Sequence, residues 1–149
     1  MTTIYLLCQA TETEALAEAL RGRGIGAIHC SDLPCCQQAA ALIARRLRVS
    51  ITEHPELREI SPGESIADCL ARTLPIWHSI SRAGHTAIAI VGQAGFNRML
   101  LGNVLDLNAE ETLRLDQDDD CINVIERNGS RPWVRLVNGT PADLAPANA

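Results

Sequence analysis

The stretch Thr86-Ala87-Ile88-Ala89-Ile90-Val91, continuing into Gly92-Gln93-Ala94-Gly95, decides the fold. Residues 86–91 carry no charge and no polar alternation, the pattern of a strand buried on both faces of a parallel sheet. The small-residue turn leads into an apolar-periodic run from Ala94 to about Leu105, which reads as a helix. Working back toward the start, the same strand–turn–helix unit recurs. Thr3-Ile4-Tyr5-Leu6-Leu7 reads as a buried strand, and Thr11 as an N-cap with Glu14 completing a capping box. The helix from Glu12 presents Leu16, Ala19 and Leu20 on one face, and Gly22 and Gly24 end it. Ala27 to Cys30 forms a second strand, Pro34 opens a long helix to about Leu47, and Val49 to Thr52 is a short third strand.

Beyond it, residues 53–65 are a loop rich in Pro, Gly and Glu. Residues 66–83 have helical period, with a kink or break expected at Pro75. Two final strands, 122–127 and 131–138, flank Asn128-Gly129, the signature of a type I′ hairpin. The prediction is an α/β three-layer sandwich, a mostly parallel central sheet with helices on both faces. One domain covers residues 1–140, and the Pro/Ala-rich residues 141–149 are expected to fray. Cys69 and Cys121 read as small core residues, Trp77 and Trp133 as packing on the sheet, and residues 116–120 as a solvated acidic loop.

Composition narrows the function classes. The chain has 149 residues, 46% hydrophobic and 21% charged, enough for one globular core and too apolar for a disordered chain. No apolar run approaches the roughly 18 residues of a membrane span, and no basic leader precedes Ile4, so a cytoplasmic protein is expected. A net charge of −5 with 3% aromatics excludes the basic, stacking surface of a nucleic-acid binder. Six cysteines without a Cys-x-x-Cys, and four histidines without ligand spacing, match no common zinc signature. In an open α/β sheet the ligand site lies at the carboxyl ends of the strands. That places Cys8-Gln9-Ala10, residues 30–36, Gly92-Gln93-Ala94-Gly95 and Glu59 at one end.

These loops resemble those of the histidine phosphatase superfamily, the phosphoglycerate mutase-like proteins, in its α-ribazole phosphatase branch. Strand-Cys8-Gln9-Ala10 stands where that family has strand-Arg-His-Gly. Residues 28–40, Ile-His-Cys-Ser-Asp-Leu-Pro-Cys-Cys-Gln-Gln-Ala-Ala, are similar to its Ser-Ser-Asp-Leu-Pro-Arg-Ala-Arg-Gln-Thr-Ala segment. Leu57-Arg58-Glu59-Ile60 matches Leu-Arg-Glu-Ile, and Ile90-Val91-Gly92-Gln93-Ala94-Gly95 stands for Val-Val-Ser-His-Gly-Gly. The resemblance implies a phosphoglycerate mutase-like fold. Its lid is trimmed, because little chain separates Ala10 from the second strand or Glu59 from the fourth. Small relatives that dephosphorylate phosphohistidine on proteins are trimmed in the same way.

The resemblance also implies which residues would carry chemistry. In the family the first His attacks phosphorus, two Arg and a second His hold the phosphoryl oxygens, and a Glu is the general acid. Carried over by position, the nucleophile is Gln9, the second His is Gln93, the Arg are Cys8 and Cys35, and only Glu59 persists. A Gln amide cannot form a phosphoenzyme. Charged hydrogen bonds are worth about 1.5–3 kcal/mol each, so losing two Arg forks forfeits on the order of 6 kcal/mol, about four decades of phosphate affinity. No cation is expected in these loops to replace them, and Asp32 and Glu59 would repel a dianion.

Three readings follow. The first is a non-catalytic pseudophosphatase that binds a protein or small molecule in the inherited pocket without a cofactor. The second is thiol chemistry at Cys8 or Cys35, with Glu59 as acid/base or as a local helix cap. The third is a soft metal ion held by Cys8, Cys35 and Cys36. Family members often dimerise, so the resemblance carries a homodimer with it.

Overall fold

The computed structural model describes residues 1–8, 11–129, 131–144 and 146. Its centre is a six-stranded sheet built from β1 (Thr2–Cys8), β2 (Ile25–Cys30), β3 (Ile51–Glu53), β4 (Ala87–Gly92), β5 (Ile122–Asn128) and β6 (Arg131–Gly139), in the order β3-β2-β4-β1-β5-β6. The first four are mutually parallel, while β5 runs antiparallel to β1 and β6 antiparallel to β5. The helices are α1 (Thr13–Leu20), α2 (Pro34–Leu47), α3 (Ile66–Ser81), α4 (Ala94–Val104) and the short α5 (Ala109–Thr112).

Alternation along the strands divides the core in two. Tyr5, Leu7, Ala89 and Val91 point to the layer of α1 and α2, which contributes Leu16, Leu20, Ala40 and Ile43. Ile4, Leu6, Ile88 and Ile90 point to the layer of α3 and α4, which contributes Trp77, Phe96 and Leu100. An all-apolar strand with period-2 side chains fills both faces at once, which is why residues 87–91 carry no polar position.

Several local expectations are corrected. Thr11 does not cap α1 through a capping box. The N-cap position belongs to Glu12, and Asp120 ties the entry to the helix, its carboxylate accepting the Glu12 N–H at 2.7 Å and the Thr11 hydroxyl at 3.1 Å. Glu14 pairs instead with Arg46 at 2.6 Å. Helix α3 runs unbroken through Pro75, because Pro75 and Ala71, whose carbonyl it leaves without a donor, both lie on the exposed face where water substitutes. The hairpin turn is entered through Gly129 at φ 80°, since Asn128 still pairs with Arg131 and lacks the positive φ of a type I′ turn. Trp133 does not pack on the sheet. It is 62% exposed on the edge strand β6, with the Arg135 guanidinium 5.8 Å from its ring centroid. Beyond β6, Pro141–Asp143 forms a 3-10 turn with the Asp143 carboxylate accepting the Thr140 N–H at 2.7 Å, and Leu144 packs on the core. Residues 145 and 147–149 lie outside the described residues.

Candidate functional site

The carboxyl ends of β1, β2 and β4 bring three of the expected loops to one end of the sheet. Cys8 ends β1 opposite Gly92, the last residue of β4. A Cβ on Gly92 would lie 2.7 Å from the Asn97 side-chain oxygen and from the Phe96 ring, so a glycine is needed for α4 to start directly beneath the strand. Gln93, the next residue, is extended and holds the N-cap position of α4 without capping it. Its amide instead donates to the Cys35 sulfur at 3.4 Å, reaching across to the first turn of α2. Gln9 lies outside the described residues.

The helix end that Gln93 leaves open is capped by Glu59. Its Oε2 accepts the Gly95 N–H at 2.9 Å and its Oε1 the Ile60 N–H at 3.1 Å. A Cβ on Gly95 would meet Oε1 at 2.5 Å, so Gly95 makes room for the carboxylate. Arg72 of α3 fixes the loop that presents Glu59. It donates to the carbonyls of Glu56 at 2.7 Å and Glu59 at 3.1 Å, and to both carboxylate oxygens of Glu64 at 2.9 Å. The Arg72 hydrogen bonds hold the Glu64 carboxyl down to about 2.

The thiols pair differently from the expectation. The Cys8 N–H donates to the Cys121 carbonyl at 3.1 Å, where β1 meets the start of β5, and the Cys121 thiol donates to the Gln117 side-chain oxygen at 3.2 Å. The neighbouring Cys121 side chain, with burial, holds the Cys8 thiol far above its ordinary value, and Cys8 lowers that of Cys121. Cys35 contacts Cys36 and Gln93. The expected set Cys8, Cys35 and Cys36 therefore does not assemble. Among the described residues no group of three or more His, Cys, Asp or Glu is arranged to hold a metal ion. The cause is geometric: Cys121 is in register with Cys8, whereas Cys35 and Cys36, adjacent on a helix, point in different directions. Burial pushes Cys36 up to about 11, and Cys30 up to about 12 with Glu53 adding to it.

A cation does sit in these loops, against expectation. Arg58 grips Asp32 with two hydrogen bonds, Nε to Oδ1 at 2.6 Å and Nη2 to Oδ2 at 2.7 Å. The Arg58 guanidinium holds the Asp32 carboxyl below its usual range, so the pair presents little net charge to the pocket.

The sequence matches the profile of the histidine phosphatase superfamily (branch 1) over residues 10–63 and 60–140. The chain belongs to that superfamily. Its fold is similar to that of Bacillus stearothermophilus YhfR, with a TM-score of 0.84 at 17% identity over 94% of this chain and 98% of that one. It is also similar to a mycobacterial glucosyl-3-phosphoglycerate phosphatase complexed with VO3 (TM-score 0.82, 15% identity, 93% and 99% covered). A putative alpha-ribazole-5'-P phosphatase from Escherichia coli superposes with a TM-score of 0.74 at 15% identity, covering 93% and 96%. No curated protein sequence is significantly similar to it. No helix among the described residues is long and apolar enough to cross a membrane.

In this histidine phosphatase superfamily member a single helix, α3, occupies the segment between Glu59 and β4. Two features near this end escaped sequence reasoning. His29 Nδ1 lies 2.9 Å from His54 Nε2, the rings 5.1 Å apart between centroids. Burial, then the neighbouring His54 and His85, lowers His29 to about 4. The two rings are 25 residues apart and meet only because β3 lies beside β2, which no local spacing reveals. Asn97 is fully buried, and among the described residues neither atom of its side-chain amide has a partner. In sequence it is one of three polar residues in an otherwise apolar helix, beside Arg98 and Asn103, so nothing singles it out.

Proposed function

We propose that this superfamily member is a non-catalytic, pseudophosphatase-like binding or regulatory module, using the amide- and thiol-lined pocket at the carboxyl end of the sheet. The observation that carries it is the Gln93–Cys35 hydrogen bond at 3.4 Å. The two side chains at positions expected to grip phosphate satisfy each other. Glu59 meanwhile directs both oxygens at backbone N–H groups, a structural use that leaves it poorly placed to give a proton to a leaving group. Arg58 is committed to Asp32. A dianion entering here would find neutral amides and thiols, which cannot repay its desolvation. A lid trimmed as the resemblance implies suits a partner bulkier than a metabolite, such as an exposed protein segment, better than a small substrate that must be closed off from water.

The test is turnover of p-nitrophenyl phosphate by the purified chain, beside the Gln93→Ala and Glu59→Gln variants. The expected result is no turnover in any of them. Turnover that disappears in either variant overturns the proposal.

A second reading has its own observation: two buried free cysteines, Cys8 and Cys121, are neighbours, the Cys8 N–H donating to the Cys121 carbonyl at 3.1 Å. Two neighbouring thiols suit a soft, two-coordinate metal ion or thiol redox chemistry. Native and denaturing intact mass on protein purified without chelator or reductant tests it: a metal-sized excess lost on denaturation, or a loss of two hydrogens, supports this reading, and a bare reduced mass rejects it.

A further inference from the structure

At the opposite end of the sheet, where β1 begins and β5 ends, a cavity of about 310 Å³ opens between the ends of α3 and α4 and the β5–β6 hairpin. Its walls include Arg82, Arg127, Arg131, His78, Trp77 and Asp106. Seven residues of β1 separate it from Cys8, about 20 Å at strand rise, so it is distinct from the pocket described above.

Arg127 is the reason this cavity matters. It is 6% exposed, yet among the described residues its charge meets no carboxylate within ion-pair distance, and its side chain donates to the neutral hydroxyl of Ser81 at 3.4 Å. Arg82 stands close enough that burial and this like charge together lower the Arg127 guanidinium below its ordinary value. Arg82 and Arg131 also lack a carboxylate partner among the described residues, and Asp106, although on the cavity wall, forms no ion pair there. A buried, uncompensated guanidinium beside further cations is costly, and it persists where something supplies the missing negative charge.

The ends of α3 and α4 could draw cations to this place through their free carbonyls. Among the described residues none of the three arginines donates to such a carbonyl, however, and the side-chain bond seen among them is that to Ser81. The charge is therefore turned toward the cavity and not spent on helix capping. His78, its pKa lowered by burial and by Arg82 and Arg127, enters as a neutral imidazole able to donate one hydrogen bond. Trp77 and Pro132 give the cavity an apolar wall.

We propose that this cavity is a binding site for a phosphate-type oxyanion, with Arg127 as its buried anchor and Arg82 and Arg131 closing over the ligand. Guanidinium forks match the paired oxygens of such an anion. The volume admits a small substituent on the phosphate, so inorganic phosphate and a compact phosphomonoester share the chemistry. In this arrangement the fold recognises phosphate at the amino end of its strands while its carboxyl-end pocket is neutral.

The experiment is a fluorescence titration of the Trp133→Phe variant, which leaves Trp77 on the cavity wall as the reporter. Inorganic phosphate and methyl phosphate are each titrated against chloride at constant ionic strength. A saturable change with phosphate and none with chloride is expected, weakened at least tenfold by Arg82→Gln and by Arg131→Gln, both exposed positions whose substitution leaves the core intact. Arg127→Gln should abolish it, with circular dichroism checking the fold. Tighter binding of methyl phosphate identifies an ester as the preferred form, and equal binding the anion itself; either supports the site. No saturable response, or one indifferent to the arginine variants, overturns it. A response lost instead in Cys35→Ser or Gln93→Ala overturns it too, and moves phosphate to the other pocket, where it counts against the non-catalytic reading.

Discussion

Glu59 caps a helix to which it does not belong: its Oε2 accepts the N–H of Gly95, the second residue of α4, at 2.9 Å. The negative carboxylate also sits at the positive end of that helix. The acid role that the resemblance implied is not needed to account for this side chain. Glu59→Ala is expected to cost about 1–2 kcal/mol of stability, the usual worth of an N-cap hydrogen bond, and Glu59→Gln less. Urea unfolding of both variants measures it. An unchanged midpoint in Glu59→Ala would show that the cap contributes nothing.

Cys35 is expected to be the first thiol alkylated in the folded chain. It alone of the six cysteines is half-exposed; Cys8, Cys30, Cys36, Cys69 and Cys121 are buried. Burial also pushes Cys30 and Cys36 up to about 12 and about 11, which leaves them almost entirely protonated at neutral pH. Brief iodoacetamide treatment followed by peptide mass mapping should place the first adduct on Cys35. A first adduct on Cys8 would contradict the burial seen here.

The fold was legible because its signals are local. An uncharged six-residue run marks the central strand, Pro34 marks the start of α2, and the loop order carries the family resemblance. The site was legible only as a set of positions. Which of them touch depends on contacts distant in sequence: Cys8 with Cys121, Glu59 with Gly95, Gln93 with Cys35, His29 with His54. The family resemblance put Cys8 and Cys35 at paired positions, yet the neighbour that Cys8 bonds is Cys121, at the start of β5. Arg127 gave no signal either, since its neutral partner and its burial exist only once α3 folds against β5.

Asn97 buries an amide with no partner among the described residues, in the first turns of α4 beneath Gly92. Such a group costs its desolvation without a compensating bond, about 1–3 kcal/mol. Asn97→Leu, close in volume, should therefore leave stability unchanged or raise it, with the gain bounded by that figure. Thermal unfolding by circular dichroism tests this. A marked loss of stability would mean that the amide is satisfied in solution, with a bound water the first partner to look for.

The His29–His54 contact fixes the sign of the pH dependence. His29 is lowered from about 6.5 to about 4 by burial first and by its histidine neighbours next, and His54 is lowered too. Below pH 6.5 the unfolded chain therefore takes up a proton that the folded chain refuses, and stability falls with pH until about 4, where folded His29 also titrates. Glu64, held at about 2 by Arg72, adds its own loss only below its ordinary 4.5. The window from pH 6.5 to 4.5 thus belongs to the histidines, and His29 should contribute on the order of 2 kcal/mol across it. Urea unfolding at intervals through that window measures the slope. His29→Asn should flatten it markedly while leaving the shares of His54 and His78, which are shifted the same way. An unaltered slope in the variant would place the proton uptake on some other group and show that His29 is already charged in the folded chain.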